Sequence, residues 1–135
     1  MNVLGIGTEI TECLRIARMI ERHGERFIDR VYTSTETRFC QSRKQAMQYF
    51  TAYWAAKEAV FKALGVAPGR AIRPLDIELR QGKSHKIEVG LRGGMRDVVE
   101  RAGVREILVS ISHSRSHAIA YAMALGERCS DEDDV

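Results

Sequence analysis

The alternation of apolar and polar residues at the start of the chain predicts a strand followed by a helix. Residues 2–10 have a strand pattern, in which Gly5 and Gly7 mark places where another backbone approaches closely. Residues 11–23 repeat apolar side chains at helical spacing, and Thr11 is the predicted capping residue of this helix.

Two further helices are predicted in the middle of the chain. A start signal, in which Ser or Thr caps the helix and Glu36 reaches back to a free amide, predicts a short helix that carries Phe39 toward the core. A long helix begins around residues 43–46 and continues to Leu64, where the following glycine is the stop signal. The apolar stripe along this helix indicates a core position.

Two hairpins, separated by one more helix, complete the pattern. Alternating residues predict paired strands over 76–80 and 86–91, and again over 107–113 and 118–125. Residues 93–102 between the hairpins have helical spacing. Helices mixed with short hairpins favour an α+β fold with an antiparallel sheet over a parallel α/β fold.

Composition and charge narrow the class of protein. With 135 residues, of which 44% are hydrophobic and 29% charged, the chain fits one globular domain, which we place at residues 1–128. Residues 129–135 form an acidic tail that we expect to be solvated and disordered. Because the net charge of +3 includes that tail, the body is more basic than the total, which predicts an acidic partner or a polyphosphate ligand.

Neither a membrane span nor a disulfide is expected. No apolar run approaches the roughly 20 residues that a span needs, and the first residues lack a secretory signal, so we expect a cytoplasmic protein with no membrane partner. The cysteines Cys13, Cys40 and Cys129 are widely spaced and match no zinc pattern. Reduced thiols are therefore expected.

Two glutamates and a lysine are candidates for chemistry. Glu58 and Lys62 stand four residues apart and point to one side of the long helix. A carboxylate and an ammonium on an open face suit a divalent metal and a phosphate, but a surface pair worth ~0.2–0.5 kcal/mol to the helix is the simpler alternative. Glu9, among apolar neighbours, needs a partner that is either a metal ion or an arginine.

A basic stripe follows the first predicted helix. Its arginines recur at spacings of three and four and then continue around an aromatic residue. The members are Arg15, Arg18, Arg22, Arg26, Phe27 and Arg30. Because acidic residues lie among them, a solvated face with local ion pairs is one interpretation of this stripe.

Two motifs resemble the signature of a known family. The long helix carries W-A-A-K-E-A-V-F-K over residues 54–62, and the first strand carries G-I-G-T-E-I over residues 5–10. In this order they resemble the 4'-phosphopantetheinyl transferases, in particular the small bacterial holo-[acyl-carrier-protein] synthases. The resemblance runs from the first strand to the final hairpin and leaves out only the acidic tail.

The resemblance implies a reaction and its residues. The 4'-phosphopantetheine of coenzyme A would move to a serine of an acyl carrier protein, in fatty acid biosynthesis, leaving adenosine 3',5'-bisphosphate. Mg²⁺ would be held by Glu9 and Glu58, with Glu58 and Lys62 as catalytic residues. The implied coenzyme-binding residues are Lys62, Gly65, His113 and Ser114.

The resemblance also implies partners. The basic stripe becomes the expected docking surface for an acidic helix of the carrier protein, and the amides after Gly65 are expected near the nucleotide. Relatives assemble as homotrimers whose active site lies between subunits, with the Glu9 strand on one chain and the long helix on its neighbour. An exposed Met/Phe patch on the second hairpin would fit such an assembly. No nucleic acid partner is expected.

Three positions depart from the family pattern. Glu9 stands where the family has aspartate, Tyr53 stands where close relatives have arginine, and G-V-A over residues 65–67 replaces G-T-G. The longer Glu9 side chain must shift either its carboxylate or the ion, and Tyr53 removes one phosphate-binding charge. These changes bear on affinity and rate more than on reaction class.

Two alternatives are kept beside the transferase. A catalytically weakened family member would bind a carrier protein without Mg²⁺-dependent turnover. A basic module that binds RNA or DNA would account for the arginines, but they lack interleaved aromatic residues and no known nucleic-acid motif is present.

Overall fold

A computed structural model describes residues 1–128 (backbone only at His85), in which four α-helices follow the first strand and two hairpins flank a fifth. The strands are β1 Asn2–Glu12, β2 Ile77–Gln81, β3 Ile87–Leu91, β4 Val104–His113 and β5 His117–Gly126. The α-helices are α1 Cys13–His23, α2 Glu25–Val31, α3 Ser34–Gln41, α4 Ala46–Leu64 and α5 Gly94–Ala102. The predicted α+β class is confirmed, and the predicted acidic tail at 129–135 lies outside the described residues.

The strands form one antiparallel sheet in the order β1-β5-β4-β3-β2. β1, β5 and β4 pair along most of their length, whereas β3 meets β4 through the single pair Ile87 and Val109. The sheet therefore consists of a long three-stranded part and an attached hairpin of β2 and β3. The long helix α4 packs across one face of the three-stranded part.

The helix lies close to the sheet because small residues face each other. The buried alanines of β5 are Ala118, Ala120, Ala122 and Ala124. In β1, a Cβ on Gly5 would overlap the carbonyl oxygen of Ala63, and a Cβ on Gly7 would overlap that of Ala59. The prediction that these two glycines admit another backbone is confirmed.

Aromatic side chains fill the core on the other sides of α4. Phe50 and Phe61 are buried, and Trp54 stacks on Phe27 with ring centroids 5.8 Å apart. Tyr32 packs edge-on against Phe50 at 5.0 Å. The apolar stripe predicted along the long helix is therefore a core surface.

The junction after β1 differs from the sequence-based expectation. α1 begins at Cys13, and its capping residue is Glu12, which makes no side-chain cap hydrogen bond. The predicted cap Thr11 is instead paired in β1, and its buried hydroxyl has no hydrogen-bond partner. Pairing with β5 extends the strand two residues past its predicted end, so the expectation for Thr11 was wrong.

The helix α2 was not predicted from the sequence. Gly24 adopts φ +56°, which lets the chain turn sharply after α1. The next residues form a short helix because Phe27 and Val31, four positions apart, are both buried.

The described residues also bear on the expected thiols and membrane spans. Cys13 and Cys40 are buried free thiols, as expected, and burial raises the pKa of Cys40 to about 12. Cys129 lies outside the described residues.

Within residues 1–128, no helix combines the length and apolar character needed to cross a bilayer.

Gly7→Ala should destabilise the fold. The added Cβ would overlap backbone atoms of Ala59, which cannot move without lifting α4 from β1. We expect the free energy of unfolding to fall by roughly 1–3 kcal/mol, or more. Urea denaturation measures the change, and Gly69→Ala is the matched control because a Cβ at Gly69 meets open space. Equal stability of Gly7→Ala and the wild type would contradict the close contact.

Candidate active site

Two predicted site residues meet where β1 crosses α4. The Lys62 Nζ donates hydrogen bonds to Glu9 Oε1 at 2.6 Å and to the Thr8 carbonyl oxygen at 3.1 Å. Side chains alternate along a strand, so Glu9 faces α4 two positions after Gly7. Since Gly7 touches Ala59 and Lys62 follows about one turn later, the strand–helix contact itself brings the two charges together.

Glu58 completes this charged group. It is half-buried on α4, and burial raises the pKa of its carboxyl. The charge of Glu9 raises that pKa further, whereas Arg15 and Lys62 lower it. Two carboxylates and two cations therefore lie within electrostatic reach of one another, and the carboxyl of Glu58 ionises less readily than that of an exposed glutamate.

The donor set of Glu9 and Glu58 fits a hard divalent cation. The described residues contain no cluster of three or more His, Cys, Asp or Glu side chains that could hold a metal by itself. Mg²⁺ is commonly bound through one or two carboxylates, with waters and substrate phosphates as its remaining ligands. The position of Lys62 supports this fit, because a cation already lies against the Glu9 oxygen.

The expected division of the site between subunits needs correction. The Glu9 strand and the long helix were expected to come from neighbouring chains, but β1 and α4 of the same chain form the contact. The glycine–alanine packing requires this arrangement, since the two backbones touch within one chain.

His113 and Ser114 lie apart from the charged group. The His113 Nδ1 is 2.7 Å from Gln48 Oε1, and its ring lies against Tyr49 with centroids 4.7 Å apart. Gln48 lies ten positions before Glu58 in α4, which corresponds to about 15 Å along the helix axis. The Ser114 amide closes the turn after β4. One chain therefore does not bring these two residues to the cluster of Glu9, Glu58 and Lys62.

Gly65 ends α4 but does not offer free amides. It adopts φ +69°, and the Gly65 and Val66 amides donate to the Lys62 and Phe61 carbonyl oxygens, each at 3.1 Å. This is a helix C-cap in which glycine supplies the left-handed conformation. The Gly65 and Val66 amides are therefore engaged within the cap, and the position of Gly65 and the following residues near the nucleotide stays a prediction.

The basic stripe on α1 borders the site. The guanidinium carbon of Arg15 lies 5.5 Å from the centroid of the Trp54 ring, and its charge lowers the pKa of Glu58. Arg15, Arg18 and Arg22 line a cavity of ≈ 460 Å³ beside the end of β1 and His117. The first half of the stripe therefore lies beside the charged group, and Arg15 is its member close to Glu58.

The second half of the stripe surrounds a separate hollow. Arg26 and Arg30 line a cavity of ≈ 270 Å³ together with Met19 and Phe27. Phe27 is only 7% exposed because its ring stacks on Trp54. Phe27 thus belongs to the core and reaches the surface only within this hollow, and its docking role stays a prediction.

Tyr53, which stands in the place of an arginine, is a core residue. It is 1% exposed, its ring stacks on Phe39 at 5.7 Å, and its hydroxyl accepts a hydrogen bond from Gln81 Nε2 at 3.1 Å. Burial raises its pKa to about 12. Five positions before Glu58, it points about 140° around the helix axis from that residue. The change at this position therefore leaves the cluster of Glu9, Glu58 and Lys62 intact.

Lys57 and Glu36 form a buried ion pair that the sequence did not predict. The Lys57 Nζ donates to Glu36 Oε1 at 2.7 Å and to the carbonyl oxygens of Val31 and Pro74 at 2.6 and 3.1 Å. Glu36 caps α3 as predicted, and its other oxygen accepts from the Leu79 amide at 2.8 Å. This network ties α2, α3, α4 and β2 together.

The two lysines of the long motif thus have opposite environments. Lys57 is 1% exposed, and burial lowers its pKa while Glu36 opposes that effect. The side chain of Lys62 is 55% exposed. In the sequence, the structural role of Lys57 could have been recognised from its position directly before Glu58, which places it on the apolar side of the helix.

The fold and the charged group define a class of protein. The 4'-phosphopantetheinyl transferase superfamily matches residues 5–122, which is most of the chain. The protein therefore belongs to that superfamily and is a transferase.

Its relatives within the superfamily are holo-[acyl-carrier-protein] synthases, which confirms the resemblance seen in the two motifs. The synthase of Rhodopirellula baltica is 41% identical over 123 residues, which is 91% of this chain and 98% of that protein. The synthase structure from Neisseria meningitidis superposes with a TM-score of 0.84 at 26% identity, covering 92% of this chain and 99% of that one. The Helicobacter pylori synthase in complex with coenzyme A has a TM-score of 0.78 at 25% identity, covering 89% and 99%.

Lys57→Met should cost far more stability than Lys62→Met. Removing the Lys57 ammonium leaves Glu36 buried without its ion-pair partner, and we expect a loss of roughly 3–5 kcal/mol in the free energy of unfolding. The exposed Lys62 ammonium contributes less than about 1 kcal/mol. Chemical denaturation of both variants measures the difference, and losses of equal size would rule out the structural role of Lys57.

Proposed function

We propose that this transferase moves 4'-phosphopantetheine from coenzyme A to a serine of an apo acyl carrier protein in fatty acid biosynthesis. The products are the holo carrier protein and adenosine 3',5'-bisphosphate. The observation that carries the proposal is the convergence of Glu9, Glu58 and Lys62 at the contact of β1 with α4. The names of the relatives and the coenzyme A bound to the Helicobacter pylori synthase support the substrate class.

The residues of the charged group divide the work of the transfer. The serine oxygen forms a bond to the β-phosphorus, the bond from that phosphorus to the bridging oxygen breaks, and adenosine 3',5'-bisphosphate leaves with the electron pair. Glu58 takes the serine proton, and its raised pKa suits a general base. The exposed ammonium of Lys62 balances charge on the diphosphate. Glu9 and Glu58 would hold Mg²⁺, which would supply further neutralisation of that charge when bound.

The basic stripe is the proposed docking surface for the carrier protein. Arg15, Arg18 and Arg22 line one cavity, and Arg15 lies close enough to Glu58 to lower the pKa of its carboxyl, so an acidic helix bound along α1 would present its serine to Glu58. Arg26 and Arg30 extend the positive surface at the far end. A surface of one sign raises the rate of encounter with a partner of the other sign.

An exposed apolar face supports assembly as a homotrimer. It lies on the side of β1, β5 and β4 that does not contact α4, and its members are 40–65% exposed. They are Ile6, Ile10, Leu108, Ile119 and Tyr121. The patch differs from the expected Met/Phe patch, since it contains no phenylalanine and extends onto β1. The assembly would also have to bring His113 and Ser114 of one chain to the charged group of another, because these residues lie apart within one chain.

Glu58→Gln should abolish transfer without unfolding the protein. Glutamine cannot take the serine proton and is a weaker ligand for a cation, so we expect turnover to fall by roughly 10²–10⁴-fold. Mass spectrometry of apo carrier protein incubated with coenzyme A and Mg²⁺ measures addition of the phosphopantetheine arm. Glu100→Gln, an exposed glutamate on α5, is the matched control. No modification of the carrier by the wild type would reject the proposed function.

Reversing charges on the basic stripe should impair the reaction with the carrier protein and leave coenzyme A binding unchanged. For Arg18→Glu with Arg22→Glu we expect kcat/KM for the carrier to fall by roughly 10–10³-fold, the range that electrostatic steering supplies. The KM for coenzyme A should be unchanged. As a control, Arg96→Glu on α5 reverses a single charge outside the stripe and should leave both parameters unchanged. Equal losses for both substrates would argue against a docking surface.

Chains with different defects should complement each other. If an assembly places His113 of one chain beside Glu58 of another, then co-expressed Glu58→Gln and His113→Ala chains should recover activity that neither has alone. Adding Tyr121→Glu to both chains should abolish the recovery, because it places a charge in the apolar face. Mixed assemblies that are no more active than the separate variants would contradict a shared site.

A further inference from the structure

The ammonium of Lys62 already occupies a cation position within the acidic group. Its two hydrogen-bond acceptors are Glu9 Oε1 at 2.6 Å and the Thr8 carbonyl oxygen at 3.1 Å. A carboxylate and a backbone carbonyl are the kinds of oxygen donor that hard cations take in proteins. Lys62 therefore uses oxygen atoms of the same kind that a divalent ion would require.

We propose that Lys62 is a resident cation that competes with the divalent ion for Glu9, and that it releases Glu9 when a diphosphate binds. The proposal rests on the metal site at Glu9 and Glu58 in the proposed function. It makes metal binding and diphosphate binding cooperative, because one ligand draws away the ammonium that opposes the other.

The Glu9 and Lys62 side chains differ in exposure and flexibility in a way that allows this exchange. The side chain of Glu9 is 18% exposed and held on a strand, whereas that of Lys62 is 55% exposed on a flexible stem. The partner that moves is therefore the lysine. Near this pair the formal charges of Glu9 and Glu58 are matched by those of Lys62 and Arg15, so the group without ligands exerts little net attraction on a metal ion.

The length of Glu9 accounts for the competition. An aspartate at this position would hold its carboxylate one methylene farther from Lys62, at a place where the present contact is 2.6 Å. Glutamate in place of aspartate at position 9 thus creates a direct ion pair with Lys62. This pair adds to the general electrostatic effect of a lysine close to the metal. These two effects can be separated by experiment.

The experiment measures Mn²⁺ affinity of the full chain by electron paramagnetic resonance, without coenzyme A. Lys62→Gln should bind Mn²⁺ roughly 3- to 10-fold more tightly than the wild type, because Glu9 is no longer occupied. Lys62→Arg keeps a cation at the position and should bind no more tightly. Arg15→Gln removes a neighbouring charge that lies over the Trp54 ring, and it should have a smaller effect than Lys62→Gln.

A Glu9→Asp background isolates the direct ion pair. Lys62→Gln should tighten Mn²⁺ binding less in that background than in the wild type, since the pair is already weakened. An equal gain in both backgrounds would overturn the proposal and leave only a general charge effect. No gain from Lys62→Gln in the wild-type background would overturn it as well. Neither result bears on the proposed function, which the modification of the carrier protein tests independently.

Discussion

Direct contact between the backbones of β1 and α4 is the constraint on which the rest of this protein depends. Gly5 and Gly7 leave no side chain between strand and helix, and Ala59 and Ala63 provide the matching surface. The same contact turns Glu9 toward the helix and places Lys62 within hydrogen-bond distance of it. Packing and the position of the proposed site residues therefore share one cause, and these residues need no loop to position them.

The second organising interaction lies one residue from Glu58, the proposed general base. Lys57 and Glu36 bury an ion pair whose other hydrogen bonds include backbone groups of Val31 in α2, Leu79 in β2 and Pro74. Buried charges are tolerated only when they are paired and hydrogen-bonded, as here. Adjacent positions of one motif thus anchor α4 in the fold and carry the proposed general base, so a single short sequence can mark both the fold and the proposed function.

The sequence predicted what local patterns control. The strand, the hairpins, the cap at Glu36 and the end of α4 followed from periodicity and turn chemistry, and the two motifs led to the charged group. It could not predict interactions that depend on distant partners. The tie of Lys57 to Glu36, the burial of Tyr53 and Phe27, and the extension of β1 past Thr11 all depend on which elements meet in three dimensions. The roles of individual docking and coenzyme-binding residues likewise depend on a second molecule.

The narrow connection between β3 and β4 has a consequence for how the protein opens. The hairpin of β2 and β3 joins the sheet through one residue pair, and it is anchored to the helices by the Leu79 amide bound to Glu36. Its attachment thus relies on a side-chain anchor more than on a continuous ladder. The amides of the hairpin should then exchange with solvent through a subglobal opening of the hairpin alone. The amides of the strands under α4 should stay protected during that opening.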